Sequence, residues 1–167
     1  MNVLFYISGA VAIIGSLMMV TRRNAMHGLV NLIVAFLAIA CAFWTLGAPF
    51  AAVLQIVVYA GAILVLFVFA VMILNLRPES TPHGRAIEWV IPGVLAAILL
   101  AEIILVLVGA VETDLSTARA VVGPVAVGSS LFTIYALGVE VASVMLMAGL
   151  AGAFHFGMFA NQEAGDE

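Results

Sequence analysis

"VVYAGAILVLFVFAVMILNL", residues 57–76, holds no charged side chain. About 20 predominantly apolar residues are needed to cross the hydrocarbon core of a bilayer as a helix, and this stretch has that length. Yet Tyr59 and Gly61 stand in it, close to where the bilayer centre would be. Counted from Pro49 at 1.5 Å per residue, Tyr59 lies roughly 15 Å deep. Gln55, four residues earlier, falls on the same helix face. Lipid offers no hydrogen-bond partner, so a polar stripe at this depth turns toward other helices or toward water. Two readings stay open on these residues alone. In one, Tyr59 bonds across a helix interface and Gly61 allows close packing. In the other, the "AGA" following the tyrosine lets the helix change its winding through a π-bulge, a local break that often marks functional sites.

Outward from this stretch the composition tells the same story. Of 167 residues, 66% are hydrophobic and 8% charged, against about half and about a quarter in soluble domains. A soluble chain of this length has no core large enough to hide so much apolar surface. The net charge of −4, with five arginines and no lysine, argues against nucleic acid as a partner. Cys41 sits alone in an apolar run and reads as packing. The start lacks the basic n-region and cleavage site of a signal peptide; Arg22 and Arg23 follow the first apolar run, as expected for a retained helix.

Five spans are expected, making the chain an all-α integral membrane protein. They cover residues about 3–20, 28–46, 50–76, 89–111 and 131–156, forming a single domain over 1–160 before a short acidic tail, 161–167. Gly47 and Pro49 in "LGAPF" divide the long apolar run, because glycine ends helices and proline starts them. Pro92 falls in the first turn of the fourth span, where proline is tolerated. "RPESTPHGR" is a polar loop, and "ETDLSTARAVVGPVAVGSS" a loop whose middle is expected to fold back onto the membrane. Arg22, Arg23, Arg77 and Arg85 all fall in the loops after spans 1 and 3. The positive-inside rule places these in the cytoplasm, so the N-terminus is expected outside and the C-terminus inside. The loops are too short for a soluble catalytic domain, so any chemistry is intramembrane.

Two acids lie within the spans. Glu140 is about 15 Å deep, and Glu102 about 20 Å from the cytoplasmic end. Intramembrane carboxylates are costly and seldom face lipid. Each reads either as a paired or protonated structural group or as a station for protons, and no intramembrane Lys or Arg offers a counter-charge. Metal binding is not expected, because His27, His83 and His155 share no ligand spacing. Trp44 and Trp89 sit at helix ends, as interfacial anchors do.

Across nearly its whole length the chain resembles the J-subunit family of bacterial NADH:quinone oxidoreductases, respiratory complex I, homologous to the mitochondrial ND-six chain. The likeness rests on "FYISG", "RRNAMHGLVNLIVAFLAIA", "YAGAI" followed by "VLFVF", and "VEVASVMLMAGLAGAFHFG". It implies a non-redox subunit of a proton-translocating oxidoreductase (EC 7.1.1 class) in the bacterial inner membrane, with no catalytic centre or cofactor site of its own. NADH, FMN, iron–sulfur clusters and quinone would be bound by sister subunits. Partners would be other membrane subunits, the A, H, K and N subunits among them, in a hetero-oligomer. The third helix would carry a π-bulge over Tyr59 to Leu66 that switches between α and π forms and opens or breaks a water path. Tyr59 and Gly61 match that motif, Val65 and Phe67 fall where gating side chains would lie, and Glu140 fits an acid in helix 5. Asn24 is followed by Ala25 where the family commonly has proline, and Glu102 is not a family residue. The alternatives carried beside this reading are a small autonomous ion or proton transporter or channel, and a purely structural assembly subunit.

Overall fold

The computed structural model describes residues 2–22, 24–74, 87–112 and 122–163, nearly all of them helix or turn. They form two compact units, 1–123 and 124–167. Five helices are long and apolar enough to cross a membrane: Val3–Thr21, Ala25–Thr45, Pro49–Ile73, Trp89–Val106 and Ala136–Met158.

In the first unit α1 (Asn2–Thr21) and α2 (Ala25–Thr45) form an antiparallel hairpin. Its turn is fixed by Asn24, whose side chain accepts from the Met26 N–H at 2.9 Å and so caps α2. Close approach of the two helices depends on Gly15. A Cβ there would stand 3.2 Å from both the Asn31 carbonyl oxygen and the Ala35 Cβ. Small residues let helix backbones meet where no hydrophobic force drives them together, as in lipid.

The α2–α3 turn follows from two residues. Gly47 adopts φ 80, the left-handed region that glycine enters at no steric cost. Two residues on, Pro49 starts α3 at a position where its missing N–H has no partner to lose. α3 runs from Pro49 to Ile73. The turn is also tied to the far end of this unit, since Val122 N–H donates to the Gly47 carbonyl at 3.1 Å.

α4 spans Ile87–Glu112. It begins two residues before the expected Trp89, so Pro92 lies beyond the first turn, where its lack of an N–H leaves the carbonyl of residue 88 without its helical partner. Trp89 packs edge-on against His27 at 4.6 Å between ring centroids, which places the starts of α2 and α4 side by side. The core of this unit joins α1, α2 and α4 through Val11, Val34, Ala38, Leu95 and Leu99.

The second unit departs from a single span over 131–156. α5 (Pro124–Thr133) ends and α6 (Ala136–Glu163) begins within three residues. Tyr135 N–H reaches back five residues to the Ser130 carbonyl, closing a wide turn, and the Tyr135 carbonyl then accepts from Val139 N–H. Leu131 to Thr133 therefore belong to the short helix, not to the span. The foldback expected within 112–129 falls partly on α5, while residues 113–121, like the loop 77–85 with Arg77, His83 and Arg85, lie outside the described residues.

Candidate functional site

Within α3 the backbone changes winding twice. Residues Pro49–Leu54 are α-helical, Gln55–Ile63 form a nine-residue π-helical segment, and Leu64–Ile73 return to α. At the far boundary the Leu64 N–H is shared between the carbonyls of Gly61 and Tyr59, three and five residues back. The segment lies earlier than the expected 59–66: it contains Tyr59 and Gly61 but closes before Val65 and Phe67.

Gly61 fits this winding. A Cβ added to it would stand 3.3 Å from the Ile56 carbonyl oxygen, five residues back. That is the carbonyl an i→i+5 ladder brings to position 61, so a side chain there crowds the geometry that distinguishes π from α. Tyr59 packs edge-on against Phe36 of α2, ring centroids 5.7 Å apart at 62°. Its side chain is otherwise half exposed, as are those of Val65 and Phe67. Gln55, at the start of the segment, is buried. The segment thus keeps one face against α2 and presents the other outward.

The acids part company. Glu140 is exposed in its own unit, on a helix whose apolar window has no buried residue there, and Ser143 donates to the Glu140 carbonyl at 2.8 Å. Glu102 is 3% exposed. Its Oε1 is in hydrogen-bond contact with the hydroxyl of Ser8 on α1, and that hydroxyl also donates to the Leu4 carbonyl at 3.0 Å. Glu102 Oε2 has no partner among the described residues. Separately, an apolar cavity of about 240 Å³ opens between α2, α3 and α4, bounded by Cys41, Trp44, Ala52, Ile56 and Ile103 among others.

Two buried polar residues escaped the sequence reading. Ser8 and Asn31 are both fully buried; the Asn31 side-chain amide donates to the His27 carbonyl at 2.8 Å, while its Oδ1 has no partner among the described residues. Each is a polar residue interrupting an apolar run, the same signal that marked Tyr59. Among the described residues no hydrogen bond joins Tyr59 to Glu102, and no group of His, Cys, Asp and Glu could hold a metal ion.

Residues 15–156 match the family NADH-ubiquinone/plastoquinone oxidoreductase chain 6. The chain belongs to that family. Its relatives include NADH-quinone oxidoreductase subunit J of Pseudomonas aeruginosa, 43% identical over 163 residues that cover 94% of this chain and 96% of that protein. The subunit J of Escherichia coli K12 is 44% identical over 94% of this chain and 86% of its own length. That of Buchnera aphidicola from Acyrthosiphon pisum is 34% identical over 94% of both. The family match takes in the end of α1, all of α2 to α5 with the π segment of α3, and most of α6.

Proposed function

We propose that this chain is the J subunit of an NADH-quinone oxidoreductase and that the π segment of α3 gates a water path for protons in the membrane arm. The observation that carries the reading is the nine-residue π segment with Tyr59 and Gly61 inside it. An α-helix turns about 100° per residue, and a π turn takes up an extra residue. Passing between the two windings turns everything beyond the segment by about that angle relative to what precedes it. Val65 and Phe67 are the side chains swung by such a change. Tyr59, held edge-on to Phe36, marks the point before which α3 stays seated on α2. Glu140 would serve the same path from α6.

In this role the chain performs no redox step. Nicotinamide, flavin, iron–sulfur clusters and quinone belong to sister subunits, and the partners are other membrane subunits, A, H, K and N among them. The distribution of arginines supports an inner-membrane orientation with the N-terminus outside and the C-terminus in the cytoplasm.

Two experiments test this. A C-terminally tagged chain, extracted mildly, should co-migrate on a native gel with a large assembly that oxidises NADH; a small inactive band in every gentle detergent would point to an autonomous transporter. Within the assembly, Gly61→Leu should leave complex formation intact and lower quinone-linked turnover several-fold, because a side chain at 61 opposes π winding. Wild-type turnover in a fully assembled Gly61→Leu complex would show that α3 is structural only.

A further inference from the structure

The Ser8 hydroxyl carries a single hydrogen, but its oxygen stands in hydrogen-bonding position to two acceptors, the Leu4 carbonyl and Glu102 Oε1. One hydrogen does not serve both. The Leu4 carbonyl, four residues back on the same helix, is the partner that serines inside helices ordinarily take. If the hydroxyl donates there, the contact with Glu102 needs its hydrogen from the carboxyl. The second carboxyl oxygen points to the same answer: Oε2 is buried and has no partner among the described residues. An unpartnered neutral carbonyl in an apolar interior is tolerable, whereas an unpartnered ionised oxygen costs far more. No arginine lies within the spans to pair with a charge.

We infer that Glu102 is a resident neutral carboxylic acid that donates a hydrogen bond to Ser8, which in turn donates to the Leu4 carbonyl, clasping α4 to α1. The proton is fixed in the clasp and is not one that travels. This goes beyond the gating reading, which concerns other residues of α3, and it assigns Glu102 a place in the scaffold of the first unit instead of in the water path.

Glu102→Gln separates the alternatives within the assembled complex. A glutamine has no proton to release, but its amide donates to Ser8 as the acid does. Assembly, heat resistance and NADH-driven proton uptake into vesicles should all match the wild type. An assembled Glu102→Gln complex with lost proton uptake would overturn the inference, since the carboxyl would then have to exchange its proton. Failure of that variant to assemble would overturn it too, because the amide keeps every contact the clasp contains. Ser8→Ala and Glu102→Ala offer the complementary check. Each should reduce the heat resistance of the complex, and the double variant should lose no more than the worse single one; additive losses would mean the two residues do not act as a pair. Neither result depends on Gly61, so failure here leaves the gating reading standing.

Discussion

Gly47 shows how much one residue settles. Its φ of 80 is open to glycine and reached by asparagine, but a β-branched side chain there meets the backbone at a cost of about 1–2 kcal/mol. Gly47→Val is therefore expected to lower the heat resistance of the assembled complex measurably, and Gly47→Asn to restore most of it. Equal losses for both would mean that bulk, not backbone conformation, decides the turn. The role of Gly47 and Pro49 was legible in the sequence because both act through their own backbone chemistry. Ser8 was not legible. A serine in an apolar run reads as bonding to its own helix, which it does, and nothing local reveals a carboxyl 94 positions away. Glu102 stood out as an intramembrane acid, but which helix would receive it depends on packing that no short stretch encodes.

At the scale of elements, helix length and number followed from hydropathy, while helix ends and windings followed only in part. Polar or turn-forming residues bound α1 and α2 and open α3, while the expected end of α3 at residue 76 lies outside the described residues. The break at Ile134 and Tyr135 has neither glycine nor proline and lies between Thr133 and Ala136. It is made by the Tyr135 N–H reaching the Ser130 carbonyl, a choice between near-equal backbone partners that composition does not announce. The π winding of α3 is similar: Tyr59 and Gly61 permit it, periodicity does not demand it, and the family resemblance supplied the expectation. Packing of α1 on α2 is testable at this scale. Gly15→Leu places a side chain where a Cβ alone already meets Asn31 and Ala35 at 3.2 Å. Overpacking of this kind costs about 1–3 kcal/mol, so the yield of assembled complex should fall. Undiminished yield would show that α1 can shift along α2 without loss.

At the scale of the whole molecule, the five apolar helices follow from hydropathy, while the orientation is a reading from charge alone. The proposed orientation predicts a labelling pattern in intact cells carrying a Cys41→Ala background. A cysteine at Leu46, exposed at the α2–α3 turn, should react with a membrane-impermeant maleimide from outside. One at Thr21, at the other end of the hairpin, should react only after the cells are opened. The reverse pattern would invert the topology and place the arginine-bearing loops outside. The hydrogen bond from Val122 to Gly47 bears on how motion would spread through such a molecule. It makes α3 and α4 a closed excursion, leaving the Gly47 turn and returning to it, so that the Pro49 end of α3 is clamped. A rod clamped at one end passes all of its torsion to the other. Rewinding between Gln55 and Ile63 would therefore turn Leu64–Ile73, and with it whatever neighbour rests on that half, while the stretch before Gln55 stays still.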